Sequence, residues 1–274
     1  MGNASGKLED EGLLSPLMEG SHEVIGRPLI YACERKIIPL ALERLSSGSP
    51  LCDPGLTTLF GDTALMWCYA NRLTDLGLRI LETGKANVGQ INALGNTALL
   101  LACGRQNETL ALEILKQGRK ANLKQMNNSG YTALSYAIIK GLPKVVRMIL
   151  ELDPACASGL DKDHNTPLIY ASYHKQEAIG LMLLGTNQAR PEHINKAGAT
   201  ALLLSCGQGL SALAKAIFMT GQSSPGVADP IYGRTALMLA IDRGMADLAS
   251  IMIDSGTFSP KPQDAPRPGP WPKV

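Results

Sequence analysis

Large aromatic side chains are scarce in this chain: three Phe and two Trp occur in 274 residues, and Phe, Trp and Tyr together make up 4%. Charge is thin as well. Asp, Glu, Lys and Arg account for 18%, against roughly 25% in ordinary soluble domains. The two signs nearly cancel at +2, which gives no basis for the concentrated basic face of a nucleic-acid binder. No run approaches the roughly 20 apolar residues of a membrane helix, and the first residues lack the apolar core of a signal peptide. These absences point to an intracellular, cytoplasmic protein.

Chemistry is missing in the same way. None of the six cysteines forms a C-x-x-C pair, so zinc and a disulfide framework are both disfavoured. Four of them, Cys33, Cys68, Cys103 and Cys206, fall on packed positions of an internal repeat. They read as small buried hydrophobes, reduced in an intracellular compartment. His22, His164, His174 and His193 lie in separate units, with no cysteine placed for a Cys–His nucleophile pair. There is no phosphate loop, no H-E-x-x-H and no G-x-S-x-G. The expectation is a non-enzyme with no catalytic residues, no metal and no cofactor.

What the chain does have is one phrase, restated. Gly61-Asp62-Thr63-Ala64-Leu65, Gly95-Asn96-Thr97-Ala98-Leu99 and Tyr131-Thr132-Ala133-Leu134 are three versions of it. Thr166-Pro167-Leu168, Thr200-Ala201-Leu202 and Thr235-Ala236-Leu237 continue the series, and Arg27-Pro28-Leu29 is a damaged first copy. The threonines are spaced by 34, 35, 34, 34 and 35 residues. A period of this length marks a solenoid of repeated supersecondary units.

Beneath the phrase lies a packing template. Three residues after each Leu comes a small residue, from Ala32 and Cys68 through Ser205 and Ala240, so both face the same side of a first helix. Thr before Ala or Pro is a good N-cap, which Arg27 cannot be. After a break of two or three residues, a second helix repeats an apolar position (Leu40, Leu76, Leu110, Val145, Ile179, Leu213, Leu248) and another five residues on. A small position lies between them. The second helix ends on Gly48, Gly84, Gly118, Asp153, Asn187, Gly221 and Gly256, residue types that tolerate left-handed backbone. Helices this short must bury a face against neighbours, so cohesion is between adjacent units. In the loops, Ile91, Met126, Leu160 and Ile194 recur at one position and are expected to tuck back onto the helices.

The opening Gly-x-Thr-Pro/Ala-Leu, the Ala position and the closing Gly resemble the ankyrin repeats. The resemblance covers about residues 25–258 and implies an all-α ankyrin-repeat solenoid of about seven helix-loop-helix units with long inter-repeat loops. Wording such as Ile80-Leu81-Glu82-Thr83-Gly84-Lys85-Ala86-Asn87 is similar to ankyrin arrays of giant amoeba-infecting viruses. One departure stands out: the family's His after Pro-Leu is replaced by Ile30, Met66, Leu100, Ser135, Ile169, Leu203 and Met238. The polar network between units is therefore expected to give way to apolar cohesion.

Flanking the array, residues 1–24 are expected to form an N-terminal tail and a cap built on Leu13, Leu14, Leu17 and Met18. Met1-Gly2-Asn3 opens an imperfect myristoylation motif, with Gly6 where Ser or Thr belongs. Gly2 is thus a candidate lipidation site, and a membrane contact is expected only if it is acylated. Residues 259–274, with six prolines at steps of two or four, are expected to form a disordered tail that lacks the three-residue proline spacing of an SH3 ligand.

In ankyrin arrays the loop tips and exposed first-helix ends form a concave face that binds another protein. Carried over by position, that resemblance nominates Phe60, Asp62, Asn96, Arg105, Tyr131, Ile139, Lys140, Tyr173, His174, Tyr232 and Arg234. Aromatics beside cations at Tyr131, Ile139, Lys140, Tyr173 and His174 have the composition of binding hot spots. The expectation is a non-catalytic protein-interaction module, whose partner is a host protein if the origin is viral. The alternatives are a membrane-anchored scaffold through Gly2 and a substrate adaptor for a ubiquitin ligase. No oligomeric state follows from the residues.

Overall fold

A computed structural model describes residues 27–256. The expected N-terminal cap, Gly2 and the proline-rich tail lie outside the described residues. Those described hold fourteen α-helices in seven pairs and no β-strands beyond isolated bridges. The pairs are α1 Pro28–Glu34 with α2 Ile38–Ser46, α3 Ala64–Ala70 with α4 Thr74–Glu82, and α5 Ala98–Gly104 with α6 Glu108–Leu115. They continue with α7 Ala133–Ile139 and α8 Pro143–Leu152, then α9 Pro167–Tyr173 and α10 Glu177–Leu184. The last are α11 Ala201–Gln208 with α12 Ser211–Met219, and α13 Ala236–Asp242 with α14 Ala246–Asp254.

Thr starts the first helix in six repeats because its hydroxyl takes up an orphan backbone N–H three residues on. Thr63 accepts from Met66, Thr97 from Leu100, Thr132 from Ser135, Thr166 from Ile169, Thr200 from Leu203 and Thr235 from Met238, at 3.1–3.4 Å. Arg27 makes no such bond. Between the helices of a pair the chain reverses through left-handed backbone. Gly141, Gly209 and Gly244 supply it in three repeats, and Lys36, Arg72, Gln106 and Lys175 adopt it in the others. Six of the seven expected stop residues are also left-handed, Asn187 among them. Asp153 is the exception, with φ −152°. Pro154 comes next, and a residue before proline is pushed to extended backbone. Asp153 instead caps a 3₁₀ turn, Pro154–Ser158, by accepting from Ala155 N at 3.1 Å.

The chain divides into two compact units, Met1–Tyr136 and Ala137–Val274, with the division inside α7. In the first unit α1, α3 and α5 stack as one row and α2, α4 and α6 as another. In the second, α9, α11 and α13 form the first-helix row, and α8, α10, α12 and α14 the second-helix row. The template leucines are fully buried, except that Leu237 is half-buried, and every small residue after them is 0% exposed. In the second helices the deepest position is four residues after the first apolar one: Ile80, Ile114, Ile149, Leu183, Ile217 and Met252 are all 0% exposed. The expected position one residue later drifts outward to Ile253. Gly77 and Gly180 occupy the small position of their helices because Leu110 and Leu213 of the following repeats press into the space a Cβ would need.

Candidate binding face

The loops between repeats reach out as short hairpins, pinned by isolated bridges such as Met126 with Thr132 and Ile194 with Thr200. Alternation along such a hairpin sends neighbouring side chains opposite ways. The inward one is the Asn after the apolar residue, which corrects the expectation for the loops: Ile91 is 39% and Ile194 45% exposed, whereas Asn92, Asn127 and Asn195 are buried.

Those asparagines build a ladder between successive repeats. Each Oδ1 closes its own hairpin, Asn127 accepting from Ser129 N and Tyr131 N, and Asn195 accepting from Ala199 N. Each Nδ2 donates to the residue before Thr in the preceding repeat. Asn92 donates to Asp62 Oδ1 at 2.8 Å, Asn127 to Asn96 Oδ1 at 3.0 Å and Asn195 to Asn165 Oδ1 at 2.7 Å. Where the preceding repeat holds Tyr131 or Ala199 at that place, the loop residue is Asp161 or Asp229. Asp161 closes its hairpin and accepts from Asn165 Nδ2 and the Tyr170 hydroxyl, and Asp229 binds three backbone N–H groups and Arg234. The polar network expected to be lost with the family's His is therefore present in another form.

The ladder revises the nominated site. Asp62 and Asn96 are 0% and 2% exposed: they are its acceptors and present no surface to a partner. Asn165 and Ala199, at the equivalent position of their repeats, are buried too.

The remaining nominees lie at the surface of the two units. In the first, Phe60 is 39% exposed beside Leu59 at 80%. Successive tips are joined through the backbone, Ala93 N donating to Phe60 O at 2.7 Å and Asn128 N to Leu94 O at 2.9 Å. Arg105, at the end of α5, is half-buried, and Tyr131 leans against Tyr136 with ring centroids 4.9 Å apart. At the same helix end Asn71 Nδ2 donates to the Cys33 and Glu34 carbonyls, an inter-repeat tie that sequence reasoning did not identify.

In the second unit Ile139, Lys140, Tyr173 and His174 are half-buried at the ends of α7 and α9. His174 stacks on Tyr170 and meets the edge of Tyr173, with centroids at 6.2 and 5.1 Å. Burial, and next the nearby Lys140 charge, hold its imidazole pKa below the usual value. Lys140, Tyr173 and His174 thus lie close to one another. Tyr131 belongs to the other unit. Farther along, Tyr232 is 69% exposed. The Arg234 guanidinium sits 5.0 Å from its ring centroid, held by Asp229 at 3.2 Å and Asp242 at 3.9 Å.

All six cysteines are buried and free, with Cys33 and Cys68 in contact at 3.8 Å. Burial pushes the Cys103 and Cys206 thiols up to about 12. Among the described residues no group of three or more His, Cys, Asp or Glu is placed to hold a metal ion, and no helix is long and apolar enough to cross a membrane.

Known proteins resemble the chain in the same terms. A family model described as ankyrin repeats in three copies matches residues 68–156 and 110–192. The ankyrin repeat-containing protein ITN1 of Arabidopsis thaliana is 31% identical over 74 residues, 27% of this chain and 12% of that protein. The chain thus spans about an eighth of that relative. Among solved structures, the ankyrin repeat domain of Bcl-3, a member of the IκB protein family, is similar with a TM-score of 0.62 and 23% identity. That likeness covers 81% of this chain and 97% of the Bcl-3 domain. With the capped helix pairs and the template they bury, these matches show that the chain carries ankyrin repeats and has the all-α ankyrin-repeat solenoid fold.

Proposed function

We propose that the chain is a non-catalytic interaction module that binds a partner protein through its loop tips and first-helix ends. The observation that carries this reading is the contrast between two sets of positions. Template and ladder residues are almost entirely buried, whereas the tips hold Leu59, Phe60 and Tyr232 outward. Core packing does not call for large apolar side chains left this exposed, and aromatic anchors dominate the energetics of protein interfaces. The Lys140–Tyr173–His174 cluster adds a cation beside aromatics on the same kind of surface. The wording shared with arrays of amoeba-infecting viruses supports a host protein as the partner.

The test is affinity capture from amoebal lysate by the full chain and by two variants, Leu59→Ser/Phe60→Ser and Tyr173→Ala/Tyr232→Ser. Leu181→Ser/Met219→Ser, changed on exposed second-helix positions, is the control. A partner held by the parent and the control but lost by either tip variant supports the reading. A partner lost only by the control would move binding to the second helices.

A further inference from the structure

Each template position can be traced through the repeats, and in the seventh it changes. Met238 is 52% exposed, whereas the six residues at its place in the other repeats are 5% exposed or less. Ile241 is 57% exposed where all six counterparts are 0%. Ile253 on α14 is 59% exposed where Leu81, Leu115 and Leu150 are 7% or less. In earlier repeats a further helix pair follows, and within each unit successive pairs pack on one another. The residues after Gly256 contain no further Thr-Ala-Leu unit, so α13 and α14 present an apolar end face among the described residues.

We propose that residues 257–274 of the same chain cover this face, with Phe258 and Trp271 as its apolar anchors. The segment follows α14 directly in the sequence. It holds one of the chain's two Trp and one of its three Phe, the residue types most scarce elsewhere. Its 18 residues extend to about 56 Å at roughly 3.1 Å each, against about 10 Å for a seven-residue helix, so reach is ample. Six prolines remove six backbone donors, which suits a strand of chain lying on an apolar surface without hydrogen-bond partners. Charge is complementary: α13, α14 and the turn between them carry Asp242, Asp247 and Asp254 against Arg243, and the segment carries Lys261, Arg267 and Lys273 against Asp264. This cover sets the proline-rich segment apart from the solvated tail its composition alone suggests.

Methionine oxidation reads the face directly. The full chain is exposed to dilute hydrogen peroxide and each methionine is tracked by mass spectrometry. Met219, 64% exposed on α12, is the reference, and Met66 and Met252, both 0% exposed, report unfolding. A covered Met238 oxidises at least about fivefold more slowly than Met219, and Phe258→Ala/Trp271→Ala in the full chain brings the two rates together while Met66 stays protected. Should that variant unfold and release Met66, Arg267→Glu/Lys273→Glu, which keeps both aromatics, is read instead with the same expected loss of protection. Equal rates for Met238 and Met219 in the parent overturn the proposal, as does protection that survives in the folded variant. Surviving protection that grows with protein concentration assigns the cover to a second copy of the chain.

Discussion

Replacing Asn195 by Ala removes one rung of the amide ladder without touching either helix of its repeat. Two hydrogen bonds disappear, Asn195 Nδ2 to Asn165 Oδ1 at 2.7 Å and Ala199 N to Asn195 Oδ1 at 2.8 Å. Asn165 and Ala199 are 3% and 2% exposed, so the acceptor and the donor left behind have little access to water. Each unsatisfied buried group costs about 1–3 kcal/mol. Allowing for local relaxation, the expected loss is about 2–4 kcal/mol, read as a shift in urea midpoint with faster hydrogen exchange at the Ala199 amide. Asn195→Asp sharpens the logic. It keeps the acceptor for Ala199 but sets a carboxylate against Asn165 Oδ1, raising the carboxyl pKa in the folded state. Stability is then retained below the unfolded value of about 3.9 and lost as pH rises through the folded one. A loss under about 0.5 kcal/mol for Asn195→Ala, the range of an ordinary surface change, would refute the ladder as a source of cohesion.

The same packing makes three further outcomes testable. Gly180→Ala places a Cβ 2.5 and 2.7 Å from the two methyls of fully buried Leu213 and is expected to cost about 1–3 kcal/mol. Gly77→Ala, with its nearest contacts at 3.1 Å, should cost less in the same urea assay. Tyr69 is 0% exposed and its hydroxyl has no hydrogen-bond partner among the described residues, so Tyr69→Phe should leave stability unchanged or raise it by about 1 kcal/mol. His174 is held below its ordinary pKa, so the unfolded chain binds a proton that the folded chain refuses. Stability should therefore fall as pH drops below about 6.5, and His174→Gln should flatten that dependence in urea midpoints measured across the acid range.

The helix pairs were legible because Thr, Leu, small residue and Gly each answer a local demand: a cap, a buried knob, a close approach and a left-handed turn. The ladder was legible in principle, since Asn92, Asn127, Asp161, Asn195 and Asp229 recur at the repeat spacing. Loop Asn and Asp suit turns anyway, so only the pairing with Asp62, Asn96 and Asn165 reveals a tertiary role. Without that pairing Asp62 and Asn96 fall on the binding face by position alone. Ile91 and Ile194 defy the pattern for a related reason: in a hairpin one residue of register decides which neighbour faces inward, and hydrophobicity alone favours the apolar one. Exposure of Met238 and Ile241 reflects the lack of a following helix pair among the described residues, which no pattern inside the seventh repeat encodes.

The central claim, a partner protein bound by loop tips and first-helix ends, is tested most directly by hydrogen exchange of the full chain with and without its captured partner. Slowed exchange is expected in the hairpins around Phe60 and Tyr232 and at the ends of α7 and α9, with α10 and α12 unchanged. Protection confined to the second helices, with those hairpins exchanging as they do in the free chain, would contradict it.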